Sequence, residues 1–368
     1  MTPHNELLYQ LALPEVPQIG TVQARILMEH FESAEAIFKA KKSNLEKIEG
    51  IGEMRAAAIK SFHQFNLFEK EIAFIEKYKI NVLFLKDEAY PQKLLNCYDP
   101  PTILYYKGKA SLNQHKTIAI IGTRNHTEYG KQLTHQLIQD LAPYEPLIIS
   151  GLAAGIDAVA HKHCLHHQIP TVGVLGHGLD TIYPGQHKSL AKEMIEGNGG
   201  LLTEFKSGTL PDRHNFPIRN RIVAGMADGV VVIETASKGG SMITARLAFD
   251  YHRDVFAFPG KTTDAKSEGC NQLIREQKAQ LITSGKELAE IMGWDAKPLQ
   301  QPIQKKIFEI LDPNEISIVQ ALQQSPELHV DQIQLITNLC GSNLAAALLQ
   351  LELKGIIRQL PGKIFVIT

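Results

Sequence analysis

The chain has 368 residues, of which 44% are hydrophobic and 21% charged, with a net charge of −1. That length exceeds one ordinary core and predicts two or three domains. A non-specific nucleic-acid binder is often strongly basic, so this near-neutral balance gives no pointer to nucleic acid, and any phosphate-binding surface must be a local patch.

The N-terminus, Met1-Thr2-Pro3-His4-Asn5-Glu6, lacks the basic-then-apolar layout of a signal peptide. No apolar run approaches the roughly 18 residues of a membrane span. Both features predict a cytoplasmic protein without membrane contact. Residues 1–70 read as a small helical domain. Val22, Ile26, Leu27, Phe31 and Ile37 have helical spacing, and Leu45–Phe62 contains Ile48-Glu49-Gly50-Ile51-Gly52. That turn resembles a helix-hairpin-helix, which aims backbone N–H groups outward where a phosphate can bind. The same glycines serve a plain tight turn between packed helices equally well. Pro17-Gln18-Ile19-Gly20 is a weaker copy of the unit.

Residues 71–295 alternate short β-branched runs with helical stretches. The clearest strands are Thr117–Ile121, Leu147–Ser150, Thr171–Leu175, Gly229–Glu234 and Asp254–Phe258. Asn81–Leu85 and Ile103–Tyr106 extend the set. Continuous apolar strands separated by helices predict an α/β fold, with a parallel sheet covered on both faces. Ligands of such sheets bind at the carboxyl ends of the strands. Residues 296–304 are rich in proline and glutamine and read as a linker. Residues 305–368 hold three helical patterns, Glu315–Gln323, Val330–Thr337 and Ser342–Lys354, then a hairpin around Pro361-Gly362. This is the outline of a winged helix. Its recognition-helix candidate has no basic residue before Lys354, so this domain is expected to contact protein or to regulate, and not to read DNA.

Three strand ends carry glycine. In Ile121-Gly122-Thr123-Arg124-Asn125 an arginine follows the turn, a plausible phosphate fork unless a structural carboxylate holds it. The segment is not the GxGxxG fingerprint, so no nicotinamide or flavin cofactor is expected. In Ser150-Gly151-Leu152-Ala153-Ala154-Gly155-Ile156-Asp157 the glycines allow close approach of a ligand, and Asp157 is expected to cap the helix. In Lys238-Gly239-Gly240-Ser241-Met242-Ile243-Thr244 the backbone can form an anion nest at a helix start, with Lys238 adding charge. Gly260-Lys261-Thr262 matches the tail of a phosphate-binding P-loop, but Val255 stands where its first glycine belongs. The stretch Asp212-Arg213-His214-Asn215-Phe216-Pro217-Ile218-Arg219-Asn220-Arg221 interleaves arginines with an aromatic, the makings of a single-strand platform. Phe216 could instead be core, and Arg221, just before Ile222-Val223-Ala224, a buried structural arginine.

His161, His163, His166 and His167 crowd one helix; with no carboxylate to complete a metal site, a solvated face is the expectation and no metal is assigned. Cys97, Cys164, Cys270 and Cys340 are scattered and read as buried free thiols. No nucleophile–base pair stands out, so no catalytic residue is assigned.

Together these stretches resemble the DNA-processing protein A (DprA/Smf) family from about Asn81 to Trp294. The carriers are Gly122-Thr123-Arg124, Ser150 to Asp157, the loop Gly176 to Pro184, Phe216-Pro217-Ile218-Arg219-Asn220-Arg221-Ile222, Gly239 to Ala245 and Ser267 to Ile274. The resemblance implies an extended Rossmann-like domain flanked by a helix-hairpin-helix (SAM-like) domain and a winged helix. It implies a homodimer that binds single-stranded DNA and helps load RecA recombinase in natural transformation and recombination, and not an enzyme. By the same resemblance Arg124 would hold phosphate, Arg213 would supply the pocket's basic residue, Phe216 would stack a base, and Gly239 to Ser241 would line the pocket. The full expected DNA site adds Gly122, Thr123, Ser150, Gly151, Gly155, Arg219, Arg221, Lys238 and Thr244. Lys278 stands where the family has glycine, near the presumed dimer side. The rival is a nucleotide phosphoribohydrolase of similar fold. Those enzymes carry a catalytic glutamate after their Pro-Gly-Gly-x-Gly-Thr loop, and the turn after Gly239–Ser241 has none.

Overall fold

The computed structural model describes residues 3–294, 311–325, 327–360 and 363–367. The expected linker 296–304 lies outside them. The chain forms two compact units, residues 1–295 and 296–368.

In the first unit nine strands make one sheet: β1 (Asn81–Phe84), β2 (Ile103–Gly108), β3 (Thr117–Ile121), β4 (Leu147–Ser150), β5 (Thr171–Val174), β6 (Gly200–Thr203), β7 (Gly229–Val232), β8 (Asp254–Ala257) and β9 (Gln280–Leu281). Their order is β1-β2-β6-β5-β4-β3-β7-β8-β9. From β6 to β9 all neighbours are parallel, whereas β1–β2 and β2–β6 are antiparallel. Helices cover both faces, which is why Ile118, Ile120, Val230, Val231 and Val232 are wholly buried and the central strands show no polar alternation. β6 and β9 have no counterpart among the expected strands. Gly200-Leu201-Leu202-Thr203 opens on glycine, and Gln280-Leu281 is too short to show a pattern.

The N-terminal helices belong to this unit. Their core includes Leu27, Ile37, Leu45 and Ile59, and continues into Phe84, Ile103 and Tyr105 of β1 and β2. The helix Glu69–Tyr78 carries the helical layer past residue 70. The run expected as one helical pattern from Val22 to Phe38 is two helices, Thr21–His30 and Ala34–Lys39, the second capped by Ser33 Oγ on Ala36 N at 3.1 Å. In the hairpin turn Gly50 and Gly52 both have positive φ. Arg55 donates to the Gly50 and Gln18 carbonyls, and Glu53 in the first turn of the next helix pairs with Lys42. The turn therefore ties its own helices together, and the carboxylate in the first turn of the second helix is engaged by Lys42.

The second unit has helices Pro313–Gln324, Val330–Thr337 and Gly341–Leu353, with β10 (Glu327–His329), β11 (Ile357–Leu360) and β12 (Ile364–Ile367) in the order β10-β12-β11. This is a winged helix. Asp312 caps its first helix by accepting from Asn314 N at 2.6 Å. Lys354, the basic residue ending the recognition-helix position, is spent on the buried Glu315 carboxylate at 2.9 Å. Leu349 and Leu353 are exposed on the same helix. Among the described residues no helix is long and apolar enough to cross a membrane.

Candidate functional site

β3 has β4 on one side and β7 on the other, both parallel to it. The chain leaves β3 in one direction and returns on the opposite flank, which opens a crevice at the carboxyl ends of these three strands. The three glycine-bearing segments are the loops that follow them. They bound an open cleft of about 700 Å³.

The loop after β3 is fixed from both sides. Thr123 N–H donates to the Glu234 carbonyl at 2.7 Å, and Ile156 N–H donates to the Thr123 carbonyl at 3.2 Å. Gly155 has φ +88°, and a Cβ there would sit 2.2 Å from Thr123 O and 2.5 Å from Arg124 O. Thr127 caps the helix Glu128–Leu141 through Gly130 N, and its own N–H and hydroxyl go to the buried Glu234 carboxylate. Arg124 is exposed above this frame, with its guanidinium 5.4 Å from the Phe216 ring centre. Among the described residues no carboxylate pairs with it, so the alternative of a structural ion pair does not apply.

The loop after β4 is held by Asp157. This buried carboxylate accepts from Gly151 N at 3.1 Å and Ala153 N at 3.3 Å. It thus caps the loop, where the sequence led to the expectation that it would cap its own helix. Burial pushes its pKa up, opposed by the Arg219 charge and by those N–H groups. Arg219 is 4% exposed. Its Nη1 donates to the Gly151 and Val174 carbonyls and its Nε to Asn220 Oδ1. Burial lowers its pKa to about 10 while Asp157 opposes, so it stays a cation at neutral pH.

After β7, Gly239 N–H donates to the Ala236 carbonyl, and Ser241 Oγ donates to Thr235 Oγ1 at 2.7 Å. The helix Gly240–Asp250 then starts at the cleft, where its first N–H groups lack intrahelical acceptors and its dipole favours an anion. Thr244 faces the cleft one turn on. Across the opening, Arg213 is exposed with its Nε on His214 Nε2, and Phe216 is half-buried with Tyr183 6.0 Å away at 34°.

Of the expected residues, the cleft gathers Gly122, Thr123, Arg124, Gly151, Arg213, Phe216 and Arg219 with Gly239, Gly240, Ser241 and Thr244. Four do not line it. Ser150 is buried and donates to the Ile120 carbonyl at 2.6 Å. Gly155 lies behind the β3 loop. Lys238 is exposed on the approach to the last helix. Arg221 is locked in an ion pair with Glu204 and a hydrogen bond to the Asp99 carbonyl, because it lies two residues along the helix Asn215–Met226 from Arg219 and so on another face. Tyr183, His177 and Asn220 border the cleft or its recess without having been assigned there. Tyr183 could have been found from its place in Thr181-Ile182-Tyr183-Pro184, an aromatic in a polar loop.

The histidine helix is not simply solvated. His161 is fully buried against Thr171 Oγ1 at 2.7 Å. His163 stacks on His135 of the neighbouring helix at 4.4 Å. Among the described residues no group of three metal-type ligands converges. Cys97, Cys164 and Cys270 are buried, but Cys340 is exposed.

Three family models match: DNA recombination-mediator protein A over residues 81–293, the DprA winged helix domain over 305–363, and a helix-hairpin-helix motif over 7–70. Protein Smf of Synechocystis is 36% identical over 98% of both chains. The DNA processing protein DprA of Streptococcus pneumoniae is 41% identical over 55% of this chain and 71% of its own. The solved structure of DNA processing protein A from S. pneumoniae is 33% identical, with a TM-score of 0.66 over 77% of this chain and 97% of that one. A Helicobacter pylori DNA processing protein A structure, described for its single-stranded DNA binding mode, is 32% identical, with a TM-score of 0.53 over 59% of this chain and 97% of that one. A cleft at the switch point of an extended Rossmann-like sheet, a matching winged helix and this likeness over nearly the whole length lead to one conclusion: the chain belongs to the DNA recombination-mediator protein A (DprA/Smf) family.

Proposed function

We propose that the cleft binds single-stranded DNA, with Arg124 and Arg213 on phosphates and Phe216 and Tyr183 stacking unpaired bases. The observation that carries this is Arg124, a cation with no carboxylate partner among the described residues, standing over the Phe216 ring beside a helix start. Cations that follow the backbone beside an aromatic face suit a strand whose bases are unstacked, and a duplex keeps its bases covered. The binding described for the H. pylori relative supports the reading. The protein acts as a binder and not as a catalyst: Asp157 and Glu234, the buried carboxylates nearest the cleft, are engaged by backbone N–H groups and Thr127. As the family resemblance implies, it works as a homodimer in the cytoplasm and passes the strand to RecA recombinase.

The test is fluorescence anisotropy of a labelled oligothymidine against a matched duplex across a salt series, for wild type and Arg124→Ala. The single strand should bind tighter, affinity should fall with salt, and the variant should lose about tenfold or more with a shallower salt slope. Weak, equal, variant-insensitive binding to both would overturn the reading and direct attention to nucleotide hydrolysis.

A further inference from the structure

Where the N-terminal helices meet the sheet lies a second cavity, of about 250 Å³, which shares no lining residue with the cleft or its recess. Thr102, Ile103 and Tyr105 at the start of β2 line it, together with the segment Glu204 to Lys206 that follows β6. Leu11, Ile19 and Phe68 of the helical layer complete its apolar walls, with Phe205. Every ionisable side chain of that lining except Tyr105 is already paired. Glu15 meets Lys206 at 2.8 Å, and Oε2 of Glu204 is held by Arg221. The cavity therefore offers no free counter-ion to a charged ligand.

Its uncharged polar groups are not spent. Tyr105 is 5% exposed and Thr102 4%, yet among the described residues neither hydroxyl has a hydrogen-bond partner. Burial, with Glu71 and Glu15 nearby, pushes the Tyr105 pKa well above the ordinary phenol range, so it remains an O–H donor. Glu204 Oε1 is buried without a partner. A hydroxyl can donate, and a carboxylate oxygen only accepts. Buried groups left unpaired cost stability until a partner reaches them.

We propose that this cavity binds an uncharged aromatic molecule carrying an amide-type edge, one N–H donor beside one acceptor. The N–H meets Glu204 Oε1, the acceptor meets the Tyr105 hydroxyl, and the ring lies among the apolar walls. Such a lining, mostly apolar with a few convergent polar groups, is that of a small-molecule site. Charge selects against ions, because a buried ion without its own counter-charge is not repaid for lost hydration.

The test uses three probes of one shape and different charge: benzamide, benzoate and benzamidine. Each is titrated into the full chain at pH 7 by saturation-transfer NMR, with and without oligothymidine. Benzamide should bind saturably, at least tenfold tighter than either ion, and oligothymidine should not displace it. Tyr105→Phe should weaken benzamide roughly three- to tenfold and leave oligothymidine affinity unchanged. Thr209→Phe, which fills the space from a half-buried position in the lining, should abolish benzamide binding and serves as the deciding variant should Tyr105→Phe fail to fold. No saturable benzamide binding, equal binding of the three probes, tighter binding of either ion, displacement by oligothymidine, or binding that both variants leave unchanged would each overturn the inference. None of these results bears on the single-strand reading except displacement, which would move benzamide to the cleft.

Discussion

Gly155→Ala tests whether the β3 loop owes its position to a residue that never touches the cleft. Gly155 has φ +88° and ψ −134°, a region that only glycine occupies at low cost. Forcing alanine into it costs about 1–3 kcal/mol. The new methyl would also stand 2.2 Å from Thr123 O and 2.5 Å from Arg124 O, both backbone atoms of a loop bonded to Glu234 O and Ile156 N. Ordinary contact begins at 3.4 Å, so the loop must retreat by roughly an ångström or the helix start must move. Adding overpacking of about 1–3 kcal/mol gives a total of about 2–6 kcal/mol. Urea unfolding should show that loss as a lower midpoint at unchanged m-value. Where the variant still folds, Arg124 is displaced from Phe216, and oligothymidine affinity should drop about as far as in Arg124→Ala. Gly185→Ala, where nothing lies within 4 Å of the added methyl, should stay within about 0.5 kcal/mol of wild type. A Gly155→Ala protein as stable and as tight-binding as wild type would show that the loop is not held as described.

Burial lowers the His161 pKa to about 3, from an unfolded value of about 6.5. Below pH 6.5 the unfolded chain takes up a proton that the folded chain refuses, so stability falls as pH drops from 6.5 toward 3. Between pH 7 and 5 this amounts to about 2 kcal/mol, and urea unfolding of His161→Asn should be less pH-dependent by that amount; an unchanged pH dependence would count against a buried neutral imidazole. Arg221→Met should cost about 3–5 kcal/mol, because it leaves the Glu204 carboxylate buried without its partner. The salt slope of DNA binding should stay unchanged in that variant, and a shallower slope would put Arg221 back at the phosphates.

Much of this fold was legible because its central strands are buried on both faces. Thr117–Ile121 and Leu147–Ser150 read directly as apolar runs ending in glycine, and the observed bounds agree. β6 and β9 were not legible. One opens on glycine and the other is two residues long, so each owes its state to its neighbours in the sheet. The three glycine loops were legible as phosphate-type turns, and Arg124 with them, because strand–turn–helix punctuation is local. Side-chain direction on a helix was not. Arg219 and Arg221 look alike in Ile218-Arg219-Asn220-Arg221, yet one lies under the cleft and the other pairs with Glu204. Nor could spacing bring Tyr183 to Phe216, since that contact joins the loop after β5 to the helix that follows β6.

The switch-point geometry has a consequence for how the protein survives. Loops near residues 123, 151 and 239 become neighbours only once β3, β4 and β7 have paired, so no short fragment contains the cleft. A ligand that touches all three loops grips strands separated by more than a hundred residues of chain, and opening any one of them releases it. At a hundred times its dissociation constant such a ligand adds about 2.7 kcal/mol against unfolding. Where proteolysis proceeds through global opening, occupancy then sets the half-life of the whole first unit, and an unloaded copy is the one a protease removes first.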